Sequence, residues 1–408
     1  MSGIGAFRKT ETCTVIADLW STTWLYRILG ERTYGDNIEQ MFFNAGPAPV
    51  ARDFQTMSYY QSPNRIRADA LPREQPRCPG TGGNYFSSLG CSNVLCCVGA
   101  VNRLIPSYVR HMWMETTDHG LAATLYGPCT VAASVASGMP VKLDCRTAYP
   151  FTETIQITLQ LDRPTTFPLY FRIPAWCSAA RIVVNGSTVS ATPDDRGFAR
   201  IARTWRGGDR IELKFPMSPR VTTGYETEYP RDASWALIKG EHYFSFLPAV
   251  MFEPRRLPYA SVLLGPLLFA LPIADLDPNT PAADAKWRYA LDAATGADIK
   301  IERSTMPAQW DWPLASPVAL KVHAKAFDWN PTDVQPLPDA PATGGKAESI
   351  RLVPYGCTKF RVSMFPVTAG KFAGMAPTPK ENHVDFRYSP PEWQAARFGP
   401  VNGKRQFL

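Results

Sequence analysis

The sequence predicts a multidomain α+β chain in which a short helical segment precedes two β-sandwich-type domains. Three observations carry this. Apolar residues recur at three-to-four spacing in three segments before residue 112. Short β-branched segments separated by turn residues follow at intervals of about ten residues. The 408 residues, 45% of them hydrophobic, are enough to build more than one buried core.

The helical elements come first. Between Thr14 and Leu29, Val15, Ile16, Leu19, Trp20, Trp24, Leu25, Ile28 and Leu29 mark one face of a helix, and Gly30 ends it. After the turn GERTYGD, Asp36 or Asn37 can cap a second short helix carrying Ile38, Met41 and Phe42, so the pair reads as a helical hairpin. Glu39 falls on this helix, where spacing alone assigns it to a solvated face. A stretch rich in Pro, Arg and Gly runs from Ala45 to about Ser88 and holds one strand, around FQTMSYYQ. The third helix is expected at Val98 to Val109, with Val98, Val101, Leu104, Ile105, Tyr108 and Val109 on its apolar face. Together these define a first domain over residues 1–112.

After His111 the period changes. GLAATLYG, TIQITLQL, FPLYFRIP, ARIVVNG, FARIARTW and DRIELKFP alternate or are β-branched, which predicts a sandwich over residues 113–275. YASVLLGPLLFALPI, interrupted by Gly265 and Pro266, reads as a pair of buried strands within it. SPVALKVHAKAF and ESIRLVPYGCTKFRVSMFP belong to a C-terminal β domain at 276–367, and residues 368–408 read as a Pro, Lys and Gly-rich tail. Trp20, Trp24, Trp176 and Trp205 are expected in cores, although carbohydrate sites also use such faces.

Composition excludes several classes. The net charge of +7 is spread thinly, with no basic stripe interleaved with aromatics, which argues against nucleic acid as a partner. No window approaches the roughly 20 apolar residues of a membrane span. MSGIGAFRKTETC has no basic segment followed by an apolar one, so no secretory signal is expected and a cytoplasmic setting is favoured. The nine cysteines, an odd count, then point to free thiols and metal ligands rather than a disulfide framework.

The chemistry concentrates in GCSNVLCCVG. Cys96 and Cys97 are adjacent and lie just before the third helix, where the helix dipole favours thiolate. Glu11 and Cys13, two apart at the mouth of the first helix, can point to one side. Three thiolates and a carboxylate suit zinc, a borderline-soft ion that takes sulfur and anionic oxygen in a tetrahedron. Packing of small apolar thiols, or a purely structural zinc knot, is the alternative for Cys96 and Cys97. Cys78 and Cys91 sit in a Gly/Pro-rich stretch and read as free thiols that could exchange into the site. Cys129, Cys145, Cys177 and Cys357 read as buried thiols in β segments.

The order ETC, GDNIEQMFFN, CC followed by VGAVNRLI, YPF, FRIPAWC, VVNG, WRGGD, LLGPLLFAL and LVPYGCTKFRVSMFP, from Glu11 to about Pro366, resembles the β-L-arabinofuranosidase family of glycoside hydrolases. The resemblance implies a helical (α/α) catalytic barrel followed by β-sandwich domains, so the helical segment here would be the remnant of such a barrel. It also implies that Glu11, Cys13, Cys96 and Cys97 bind Zn2+, and that Cys96 is the nucleophile of a retaining mechanism. Glu39 matches a glutamate of the family's second-helix motif, which implies a substrate contact. The substrate would be an arabinose-containing oligosaccharide or glycoconjugate.

In that family a glutamate upstream of ETC is the general acid/base, and residues 1–10 contain no Asp, Glu or His. Slow or absent hydrolysis is therefore expected. A non-catalytic zinc- and carbohydrate-binding remnant is the alternative.

Overall fold

Gly30 sets the end of the first helix. Its backbone takes φ 66°, and its N–H donates to the Tyr26 carbonyl at 2.8 Å, a left-handed cap that glycine adopts without a Cβ clash. The protein is described by a computed structural model covering residues 10–51, 56–67, 86–88, 95–228, 255–277, 280–292, 298–307, 315–331, 337–338 and 345–368. Cys78, Cys91 and nearly all of the expected tail at 368–408 fall outside these residues.

Helix α1 spans Thr12–Leu29. It buries Thr12, Ile16, Leu19, Thr22, Thr23 and Tyr26, whereas Trp20, Trp24, Leu25, Ile28 and Leu29 are exposed. The apolar face read from the sequence is thus split. Ile16 and Leu19 turn inward beside threonines, and the larger apolar residues cover the opposite side.

Helix α2, Arg32–Gln40, starts before the expected cap, with Glu31 at its N-cap. Asp36 is therefore an interior residue, free to turn its carboxylate toward the β domain. Five residues of π-helix, Met41–Ala45, follow directly. Helix α3, Leu95–Arg110, begins three residues earlier than expected, so Cys96 and Cys97 lie within its first turn. Its Leu104 and Tyr108 are buried, and Ile105 and Val109 face outward.

The middle β unit is a sandwich. One sheet has the order Phe198–Trp205, Thr165–Arg172, Leu121–Ala123, Trp113–Glu115. The other has the order Ser187–Val189, Arg181–Val184, Arg210–Lys214, Thr154–Gln160, Met139–Thr147, Cys129–Val135. Ile155, Ile157 and Leu159 alternate inward against Val141, Leu143, Ile211 and Leu213. The VVNG and GGD motifs meet at one end. Asn185 Nδ2 donates to Asp209 Oδ1 at 2.8 Å, and Asn185 Oδ1 accepts from the Arg210 N–H at 2.8 Å.

Strands Pro219–Glu228, Arg255–Leu264 and Leu267–Ile273 pair into one sheet, nine-stranded among the described residues, with Val318–Ala326 and Ala347–Pro354. By sheet pairing the middle sandwich ends near Phe215, so the expected boundary at 275 falls after three strands of the last sheet. Hydrogen bonding between strands distant in sequence decides this, and local periodicity does not carry that information. The core itself continues through both β units, from Leu143 and Leu213 to Phe269, Leu320 and Phe365.

Several sequence motifs fasten the helical layer to this β body. Asn44 Nδ2 donates to the Pro266 carbonyl at 2.9 Å and Asn44 Oδ1 accepts from the Leu268 N–H at 2.8 Å, tying FFN to GPLL. Asn64 Oδ1 accepts from the Ser363 and Met364 N–H groups, both at 2.9 Å. A Cβ on Gly356 would stand 2.8 Å from the Phe43 carbonyl oxygen, so only glycine lets the PYGC turn approach the π-helix.

The strongest fastening is ionic. Arg172 is completely buried, pairs with Asp36 through Nη1 and with Glu39 through Nη2 at 2.5 Å, and donates from Nε to the Thr124 carbonyl at 2.6 Å. Glu39 also accepts from the Tyr149 hydroxyl at 2.6 Å and the Tyr126 N–H at 3.2 Å. Burial pushes the Glu39 carboxyl above its usual range, opposed by Arg172 and the Tyr149 hydroxyl. The expected solvated face for Glu39 is thus corrected: the residue is 0% exposed because α2 lies on the sandwich.

Replacing Arg172 by Met should strand two buried carboxylates. An unfolding free energy lower by about 3–5 kcal/mol in denaturant titration is expected; a change within experimental error would show the triad to be idle. The outward apolar residues of α1 and α3 give a second expectation. The full chain should bind a dye for apolar surface and elute above monomer size, with Ile28→Lys reducing both. A dye-silent monomer would refute it.

Candidate metal centre

The entrance to α1 is held by a two-residue strand. Thr10 and Glu11 pair antiparallel with Gln61 and Tyr60, the Thr12 N–H donates to the Tyr59 carbonyl at 2.9 Å, and Thr12 Oγ1 donates to the Ser58 carbonyl at 3.1 Å. Ser58 closes the strand Thr56–Ser58, which pairs with Phe86–Ser88. Glu11 is extended and Cys13 already helical, so their side chains leave the backbone toward the same neighbour, the first turn of α3.

The four expected ligands come together there. One donor atom from each of Glu11, Cys13, Cys96 and Cys97 lies within 4.8 Å of the others. Cys13 Sγ is 3.3 Å from Cys97 Sγ, and Cys96 Sγ is 3.9 Å from Cys97 Sγ. A tetrahedron with metal–sulfur bonds of about 2.3 Å has edges of about 3.8 Å, so the donors are spaced for one ion and the donor set suits zinc. Cys97 is fully buried among Met57, Tyr59, Val98 and Val101, Cys13 is half-buried, and Cys96 is exposed.

The electrostatics fit a cation. Burial, and then the neighbouring thiols, push Cys13 well above its usual range. Burial likewise pushes Cys97 up to about 11; the Cys13 thiol lowers it and Cys96 raises it. Three thiolates this close repel one another, and a positive ion among them reverses that balance. Tyr59 lies beside Glu11, and burial first, then the Glu11 carboxylate, raise its phenol. Sequence reading placed Tyr59 in a strand but gave it no role, because the contact depends on the register of a two-residue strand pair.

Glu39 is not part of this cluster. Both its oxygens are engaged by Arg172, Tyr149 and Tyr126, which makes it the anchor of α2. Beside the thiols, Met57, Val98 and Val101 continue into a groove of about 860 Å³ that also includes Phe42, Ile105 and Phe151.

With this architecture in view, comparison with solved structures places the chain among glycoside hydrolase folds. One, described as a glycoside hydrolase, aligns with TM-score 0.63 at 21% identity over 90% of this chain and 53% of its own. A GH127 β-L-arabinofuranosidase from Geobacillus stearothermophilus T6 aligns with TM-score 0.59 at 21% identity over 89% of this chain and 50% of its own. A further GH127 β-arabinofuranosidase gives TM-score 0.60 at 18% identity over 89% and 50%. The chain therefore spans about half the length of these structures. The GH127 β-L-arabinofuranosidase catalytic-domain model matches residues 5–110 and the middle-domain model residues 120–217. The chain belongs to the GH127 β-L-arabinofuranosidase family. Among curated proteins no match was found, and no helix among the described residues is long and apolar enough to cross a membrane.

Metal analysis of the purified chain should find one thiophilic divalent ion per molecule. Cys97→Ser should lower that content severalfold, and Cys78→Ser or Cys91→Ser should leave it unchanged. Retention of full metal content by Cys97→Ser would remove this residue from the centre.

Proposed function

We propose that the chain acts on arabinofuranosides by a retaining mechanism, with Glu11, Cys13, Cys96 and Cys97 as zinc ligands and Cys96 as nucleophile. The graded exposure of the three thiols carries this reading. Cys97 is enclosed by Met57 and Val98, Cys13 is half-covered, and only Cys96 is open to solvent where an anomeric carbon can reach it. Zinc bound to this donor set would keep the sulfurs as thiolates at neutral pH.

The residues then divide the work. Cys96 Sγ, in the first turn of α3 where the helix dipole favours negative charge, forms a bond to the anomeric carbon while the glycosidic C–O bond breaks. The electron pair leaves with the oxygen, which must gain a proton. Water then displaces the sugar from sulfur, loses its own proton and returns the thiolate. Cys97 and Cys13, less exposed, hold the cluster in place. Tyr59, beside Glu11, orients that carboxylate in this reading.

Protonation of the leaving oxygen is the weak step in this reading. Glu11 is the single carboxylate of the cluster and, as a zinc ligand in this reading, would be engaged with the metal. General-acid assistance is worth about 10²–10⁴-fold, so with Glu11 held by the metal and no further carboxylate in the cluster, turnover of unactivated glycosides should fall by that order. Binding of an arabinooligosaccharide without turnover is the second reading, favoured by Glu11 being the single carboxylate of the cluster.

The test compares leaving groups. A nitrophenyl β-L-arabinofuranoside, which needs little protonation, should be cleaved slowly in a manner abolished by Cys96→Ser, whereas an alkyl arabinofuranoside should be turned over at least 10²-fold more slowly. Equal and rapid cleavage of both would show that a general acid is present. Cleavage retained by Cys96→Ser would overturn the nucleophile assignment.

A further inference from the structure

A second pair of sulfurs lies outside the metal centre. Cys129 and Cys145 are directly opposite each other in the antiparallel pair formed by Cys129–Val135 and Met139–Thr147. Both are free thiols, Cys145 buried and Cys129 half-buried. Their side chains share the inward face of the sheet, since Cys145 continues the buried series Val141, Leu143. Trp113, from the strand that follows α3, packs beside this pair.

The placement suits covalent closure that can be reversed. Directly opposite residues in antiparallel strands have Cβ atoms about 4.5–5.5 Å apart, and a disulfide needs about 3.8 Å. The strands must therefore approach slightly. Cys129–Val135 is the outermost strand of its sheet among the described residues, so it can make that shift without breaking a ladder on its other side. A bond closed under such strain is more easily reduced than a relaxed structural one.

We propose that Cys129 and Cys145 form a redox modification site that closes reversibly to an intrachain disulfide by exchange with a low-molecular-weight disulfide of the glutathione class. Cys129 is the entry point, because it is the more exposed of the two. The neighbouring Cys145 thiol, first, and the Trp113 indole hold it below the usual thiol range, while burial opposes them. The same contact holds Cys145 protonated and raised.

The Cys129 thiolate attacks one sulfur of the small disulfide. One S–S bond forms as another breaks, and a small thiolate leaves with the electron pair. That thiolate takes the proton of Cys145, whose sulfur then attacks Cys129 Sγ and expels the second small thiolate, which takes up from solvent the proton that Cys129 gave up. Two protein thiols are oxidised and one small disulfide is reduced to two thiols.

This inference stands apart from the proposed glycosidase chemistry, because neither residue belongs to the metal cluster. It is tested on the full chain incubated with glutathione disulfide, blocked with N-ethylmaleimide and digested with trypsin without reduction. Cleavage after Arg110, Lys142 and Arg146 puts Cys129 in peptide 111–142 and Cys145 in peptide 143–146. The expected product is these two peptides linked, two hydrogens lighter than their sum and separated by a dithiol. Cys145→Ser should instead accumulate glutathione on Cys129, and Cys129→Ser should leave Cys145 unmodified in the folded protein. Recovery of both cysteines as maleimide adducts from the treated wild-type chain would overturn the proposal. So would glutathione on Cys145 in preference to Cys129, and the wild-type mapping decides the question even if a variant does not fold.

Discussion

The orientation of the helical layer depends on one guanidinium. Arg172 lies in the sandwich strand Thr165–Arg172 and reaches two carboxylates of α2, Asp36 and Glu39, with no exposed surface of its own. Taking these charges out of water costs several kcal/mol per ion, and their attraction recovers this only when the geometry is good and the remaining donors and acceptors are satisfied. Here Thr124, Tyr126, Tyr149 and the Ala175 N–H supply those partners. Such a cluster tolerates no sliding of α2 on the sheet. Its effect is therefore to fix register, with a smaller share in net stability.

Everything near the thiols follows from that register. With α2 fixed, the π-helix presents Asn44 to the GPLL hairpin and its backbone to Gly356, so the helical layer is tied to the last sheet as well. α1 and α3 then lie side by side with their N-termini at the same end, and the strand pair Thr10–Glu11 with Tyr60–Gln61 sets the depth at which Cys13 meets Cys97. A slip of one residue in that pair would turn Glu11 to the other face. The centre is thus assembled from three segments far apart in sequence, none of which holds its donors in place alone.

The helices also show what local pattern cannot report. The periodicity of α1 is real, yet the side with the larger apolar residues, Trp20, Trp24 and Ile28, is exposed, and the side with Thr12, Thr22 and Thr23 is buried. An apolar stripe states that a helix can bury a face. Which face lies against the β body is set by hydrogen bonds such as Thr12 to Ser58 and by the Tyr26 hydroxyl on the Thr124 carbonyl at 3.1 Å. The chain spans about half of the two GH127 structures compared, and this outward face belongs to the part that matches the catalytic domain.

The sequence by itself determined the three helices, the Gly30 stop and the strands of the middle sandwich, and it offered Glu11, Cys13, Cys96 and Cys97 as a donor set whose grouping the resemblance to the β-L-arabinofuranosidase family implied. These depend on residue type and short spacing: a period of 3.6 or 2, a glycine where φ is positive, and a set of sulfur and carboxylate donors that only a few ions satisfy. Tertiary structure decided the rest. It moved strands 219–273 into the last sheet and made Asp36 an ion-pair partner instead of a cap. It took Glu39 out of solvent, brought Tyr59 to Glu11, and set Cys129 opposite Cys145. The physical reason is common to all of these. Each depends on a contact between segments whose mutual register is fixed by strand pairing and buried charge, and neither leaves a periodic mark in the sequence.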